Sequence, residues 1–113
     1  MASKRFEDSL IPYLRERFPN EVQSLPEPEI REMIKHAIKK ARSYGITTRR
    51  GIAKYAEVMQ YLGVNFDQDP KWPWARYLLT DKQKPNAIER ISTLYIEVLK
   101  RMSPSEFPGI EKA

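Results

Sequence analysis

His36 is the one histidine in this chain, and it lies between Lys35 and Ala37 in a segment of helical periodicity. General acid–base catalysis requires an oriented partner, so this placement favours a structural or surface role. Asn65, Asp67 and Asp69 alternate like oxygen ligands of a calcium loop. An EF-hand loop begun at Asn65 would need Gly where Pro70 stands and a bidentate Glu where Arg76 stands. Local turn chemistry is the simpler reading: Asp69-Pro70 sets up a turn, and Asp67 accepts nearby backbone N–H groups. Cysteine is absent, which removes thiol nucleophiles, thiolate metal sites and disulfides together. The glycines Gly45, Gly51, Gly63 and Gly109 are scattered at helix junctions or in the tail and form no phosphate loop or nucleophile elbow. The residues therefore predict a protein that is not an enzyme and has no catalytic, cofactor-binding or metal-binding site.

What remains is binding chemistry. The chain has 113 residues and a formal net charge of +5, a balance that favours acidic partners of any class. The most uneven stretch runs from Met33 to Ala56. It holds Lys35, Lys39, Lys40, Arg42, Arg49, Arg50 and Lys54, with no Asp or Glu before Glu57. Arg49 and Arg50 fall in the first turn of a helix, where the macrodipole makes cations mildly unfavourable. A solvated helix face accounts for such a run without any partner. A helix-turn-helix reading is also available, because residues 41–48 resemble the helix-turn segment and Arg49, Arg50 and Lys54 would face DNA. In that alignment Ala41, Tyr44 and Ile46 fit, whereas Lys40, Gly51 and Lys54 occupy positions normally buried and apolar. The aromatics Phe66, Trp72, Trp74 and Tyr77 have two readings, core closure by a packed loop or an anchor patch for another protein.

The elements that would position these residues are helical. Phe6, Leu10, Leu14 and Phe18 line one side of a first helix from about Ser3 to Phe18, with Pro12 arguing against full regularity. Ser24 to Glu29 carries a serine cap, first-turn prolines and carboxylates, the marks of a helix start. Ile30, Met33, Ile34, Ala37, Ile38, Ala41 and Tyr44 then recur at helical spacing up to Gly45, a left-handed stop. Thr48 caps a third helix carrying Ile52, Tyr55, Ala56, Val58, Met59 and Leu62 and ending at Gly63. An irregular loop over 64–73 leads into a short helix from about Trp74 to Leu79. After a polar break, Asn86 caps a final helix using Ile88, Ile91, Leu94, Tyr95, Val98 and Met102. The expected fold is all-α, a compact single-domain bundle of four to five helices over residues 1–102, with an extended or disordered tail over 103–113.

One part of the chain resembles a known group. Tyr44-Gly45-Ile46-Thr47-Thr48, the stretch from Tyr55 to Gly63, Phe66-Asp67-Gln68-Asp69-Pro70 and Trp72-Pro73-Trp74-Ala75 resemble small helical proteins encoded beside effector, chaperone and spike-tip genes of bacterial type VI secretion systems. The resemblance covers residues 30 to 79, and Phe18-Pro19 before a long helix extends it. It departs at Arg49, where an acidic residue often follows the threonine cap, so the basic patch is particular to this chain. The resemblance implies an accessory or co-chaperone role in loading or stabilising a secreted effector, bound to the effector or to an adaptor chaperone. It transfers no catalytic or ligand residue.

The leading expectation is thus a non-enzymatic protein-interaction module. Phe66, Trp72 and Trp74 are its candidate anchors, and Arg49, Arg50 and Lys54 its candidate steering charges. A helix-turn-helix-like nucleic-acid-binding regulator and an immunity protein neutralising a cognate toxin are the alternatives. No run of 18 apolar residues and no secretory leader is visible, which predicts a cytoplasmic chain without membrane partners. Oligomeric state is left open.

Overall fold

The computed structural model describes residues 4–102; the tail expected over 103–113 lies outside them. Five α-helices and one 3-10 turn form an all-α single domain, with no strand among the described residues. They are α1 (Lys4–Arg17), α2 (Glu27–Ser43), α3 (Arg49–Leu62), α4 (Pro73–Leu79) and α5 (Ala87–Met102), with the 3-10 turn at Phe66–Gln68.

Local signals set most of the boundaries. The hydroxyl of Thr48 accepts the N–H of Gly51 at 3.0 Å, and Asn86 Oδ1 accepts the N–H of Ile88 at 2.8 Å, satisfying amides that begin α3 and α5. Gly45 adopts φ +84° just past α2, a conformation that strains residues with a Cβ. One expectation needs correction. Ser24 does not cap α2: Pro26 holds the cap position with no side-chain bond, its carbonyl accepting the N–H groups of Glu29 and Ile30. Pro12 lies inside α1, which runs through it. The exposed proline withholds one N–H from the ladder, while Phe6, Leu10, Ile11 and Leu14 bury both halves of the helix against the core.

Pairwise contacts define the topology. Arg31 meets Glu7 and Asp8, and Arg15 reaches the Leu25 carbonyl, so α2 runs back along α1. Gln60 meets Met33, so α3 runs back along α2. Phe6 lies under Arg49 and Tyr13 meets Glu57, so α1 and α3 run the same way. Lys54 meets Ser92 and Glu57 meets Tyr95, so α5 also runs parallel to α3. The segment containing α4 makes the return crossover.

The helix α3 is therefore central, flanked by α1, α2 and α5. Ile52, Tyr55, Ala56, Val58, Met59 and Leu62 are all buried, and of residues 49–62 only Arg49 and Arg50 are exposed. Gly51 is buried in the first turn, where an added Cβ would stand 2.7 Å from Ile46 Cγ2 and 3.3 Å from Ile88 Cδ1. No helix among the described residues is long and apolar enough to cross a membrane.

Candidate functional site

Among the described residues two carboxylates are buried, Glu57 at 2% and Asp67 at 0% relative exposure. Buried charges must be paired and hydrogen-bonded to be tolerated, and the pairing explains much of the polar sequence. Glu57 Oε2 accepts the hydroxyl of Tyr13 at 2.8 Å, and Oε1 accepts that of Tyr95 at 2.8 Å. Arg17 Nη2 lies 3.2 Å from the same Oε1 and donates to the Tyr95 hydroxyl. Burial foremost, then the bond to Glu57, raises the pKa of both tyrosines. This network ties α1 to α3 and α5 at one end of the bundle.

Asp67 plays the matching part at the other side. Its Oδ2 accepts Lys40 Nζ at 2.6 Å and the Tyr44 hydroxyl at 2.7 Å. Burial pushes the carboxyl up, but Lys40 and Tyr44 outweigh it and hold the pKa below the ordinary value. Tyr44 is pushed up to about 12, by burial first and by Asp67 second. The Asp67 carboxylate reaches across to α2, with its own backbone amide a lesser contributor to the lowered pKa, and Asp69 accepts a further local amide, from Lys71 at 2.9 Å. Asp67 Oδ1 and the Tyr55 hydroxyl are buried without hydrogen-bond partners.

These networks decide what each expected site residue does. Phe66 is fully buried, its ring centroid 5.0 Å from that of Tyr55, so it is core and cannot anchor a partner. Trp72 is half-buried and donates Nε1–H to the Leu62 carbonyl at 3.0 Å, satisfying the end of α3. Trp74 packs edge-on against Trp72 at 6.2 Å and lies under the Arg101 guanidinium at 4.3 Å. Of the two readings of the aromatic group, these contacts are those of core closure; Tyr77 alone stands out, 63% exposed. Lys54 turns inward to Ser92 Oγ at 2.9 Å and is half-buried, which removes it from the steering charges. His36 is half-buried with Nε2 buried and unpartnered, so no hydrogen bond orients that nitrogen for proton transfer.

Arg49 and Arg50 remain. Neither has a carboxylate within ion-pair distance among the described residues; Arg49 lies 5.9 Å over the Phe6 ring. They stand at the rim of an open groove of about 330 Å³ whose other lining is Phe6, Ser9, Leu10, Tyr13 and Ala53. The groove exists because α1 touches α3 more lightly than α2 or α5 does. At the Tyr13 end the Glu57 network bridges the two helices. Tyr13 belongs to both, its ring lining the groove while Glu57 holds its hydroxyl.

Against known protein families, characterised proteins and solved structures, the chain matches none. The site therefore rests on its own geometry. A larger hollow of about 420 Å³ lies between α1 and α2, lined by Lys4, Asp8, Ile11, Pro12, Glu27 and Arg31. Its carboxylates are already engaged: Arg31 pairs with Asp8 at 2.7 Å, with Glu27 at 3.3 Å and with the neighbouring Glu7 at 3.1 Å. The smaller groove joins an apolar floor to unanswered positive charge, so it is the better candidate for a partner. Among the described residues no group of three His, Cys, Asp or Glu side chains is placed to hold a metal.

Sequence reasoning missed Glu57 and Arg90. Glu57 stands between Ala56 and Val58 on a helix whose apolar positions cover well over half its circumference, and that breadth was a signal that even its polar positions are enclosed. Arg90 donates to the carbonyls of Leu79, Lys84, Pro85 and Tyr44, pinning the α4–α5 loop to the end of α2. Backbone acceptors in turns leave no pattern in a sequence.

Proposed function

We propose that this chain is a non-enzymatic protein-interaction module, an accessory that loads or stabilises a type VI secretion effector by binding the effector or its adaptor chaperone. The observation that carries the interaction reading is the groove between α1 and α3, where Arg49 and Arg50 border an apolar floor with no acidic partner among the described residues. Fully desolvated apolar contacts flanked by complementary charge are the usual means by which protein interfaces gain affinity and orientation. The secretion context comes from the sequence resemblance over residues 30 to 79.

A nucleic-acid regulator has less support. A recognition helix must offer an exposed face to the major groove, and α3 exposes only its first two residues. The test is capture from the native bacterial host with the tagged full chain. Recovery of a secretion effector or adaptor chaperone at near-stoichiometric yield is the expected result; recovery of no secretion component overturns the assignment.

A further inference from the structure

The interaction reading leaves the ligand unnamed, and the groove is specific enough to name its class. We infer that the groove takes an acidic amphipathic helical segment of the partner protein, with apolar side chains over Phe6, Leu10 and Ala53 and carboxylates on Arg49 and Arg50. This inference rests on the protein-interaction reading above and deepens it.

The length and shape of the opening set the first constraint. Phe6, Leu10 and Tyr13 are spaced i, i+4, i+7 and present one face of α1, whereas Arg49, Arg50 and Ala53 come from the first turn of α3. Seven residues of α1 span about 10 Å of helix axis, the length of roughly two turns. With parallel α1 and α3 as its walls, the opening has the length and direction to seat a helical segment beside the bundle. No strand edge exists among the described residues for an extended segment to join, and an apolar wall two turns long suits the helix-in-groove mode of recognition.

Charge sets the second. The two guanidiniums project at the first turn of α3, where the helix dipole adds positive potential and where no ion pair among the described residues neutralises them. Arginine presents a planar fork suited to carboxylates and stacks on aromatic faces, and Arg49 already lies over Phe6. Two cations over an apolar floor suit a short acidic helix. A nucleic acid backbone would require a longer track of cations, and Lys40 and Lys54, which could have supplied one, are turned inward.

Tyr13 supplies the third constraint. Its ring forms one wall of the groove, with Arg17 5.9 Å from its centroid, and its hydroxyl is fixed by the buried Glu57 carboxylate. Glu57 is in this sense a positioning residue: it holds the wall against which an apolar ligand side chain would rest.

The probe is a synthetic amphipathic 14-residue helix carrying Leu along one face and Glu beside it, labelled for fluorescence anisotropy and titrated with the full chain. Saturable binding is expected, weakened at least tenfold by Arg49→Glu with Arg50→Glu and weakened as well by Ala53→Glu at the groove floor. Amide shifts on adding the peptide should concentrate at residues 6–13 and 49–53. Absence of binding, affinity equal to that for a scrambled peptide, shifts centred elsewhere, or tighter binding to duplex DNA or to phosphatidylglycerol vesicles would each overturn the inference. The two readings fail separately. If capture of a secretion component survives Arg49→Glu with Arg50→Glu, the module stands and the groove falls; if capture fails altogether, the secretion assignment falls whatever the peptide does.

Discussion

Lys40 and Lys54 belong to the same basic stretch as Arg49 and Arg50, yet the four residues occupy opposite sides of the fold's boundary with solvent. The two lysines point inward, Lys40 to the buried Asp67 and Lys54 to Ser92 beneath Tyr95. The two arginines are exposed beside a groove and find no carboxylate among the described residues. A cluster of charge in sequence is thus two structures in space, one turned inward, where Lys40 neutralises a buried acid and Lys54 bonds a hydroxyl, and one exposed to solvent. Structural charges should be costly to remove and functional ones costless to the fold, and substitution can test that contrast.

The largest effect belongs to Lys40→Met. It leaves Asp67 buried with its main counter-charge gone, and breaking a buried pair from one side costs about 3 kcal/mol or more. Urea unfolding should register that loss, and Lys40→Met combined with Asp67→Asn should recover more than half of it. A single-mutant cost below about 1 kcal/mol would place Lys40 with the surface charges and erase the contrast.

The same pair sets the acid response. Asp67 has a folded pKa below its ordinary 3.8, so its contribution is complete above about pH 4 and is lost as pH falls through the folded value. In Lys40→Met the opposing burial is less well compensated and the carboxyl shifts upward. Acid unfolding followed by circular dichroism should therefore begin at higher pH in the variant than in the parent chain.

Next in size is Gly51→Ala, beside Arg50 but turned inward. Glycine within a helix normally gains about 0.5–1 kcal/mol on replacement by alanine. Here the new methyl meets Ile46 Cγ2 at 2.7 Å, and overpacking should cost about 1–3 kcal/mol instead. A raised melting temperature would mean that the turn carrying the arginines is loosely held.

Arg49→Glu and Arg50→Glu should have the smallest effect on the fold, and of opposite sign. Each replaces a cation by a carboxylate at a helix N-terminus, a gain of about 0.3–1 kcal/mol at low salt. Thermal melts should show equal or slightly greater stability. A clear loss would reveal a structural role and remove the argument that these residues serve a partner.

Much of the fold was readable in the sequence because its signals are local. Gly45, Thr48, Gly63 and Asn86 punctuate the helices through their own backbone preferences, and every predicted apolar stripe packs inward except Ile88, which is at the margin of exposure. The site was less readable because burial of polar groups depends on distant partners. Lys40 and Asp67 are 27 residues apart and Tyr13 and Glu57 are 44 apart, separations at which no spacing rule operates. Of the six residues expected at the partner site, Arg49 and Arg50 were singled out by a local mismatch with the helix dipole, and that mismatch persists in the folded chain. Phe66 and Lys54 were misjudged because residue type alone does not tell which side of a central helix a neighbour will cover.

The most direct measurement is a charge swap. The Leu/Glu peptide and a Leu/Lys counterpart are titrated against the parent chain and against the chain carrying both Arg49→Glu and Arg50→Glu. The parent should prefer the Glu peptide and the double variant the Lys peptide, each by at least tenfold. The same preference in both chains would contradict the assignment of Arg49 and Arg50 as the partner's electrostatic contacts.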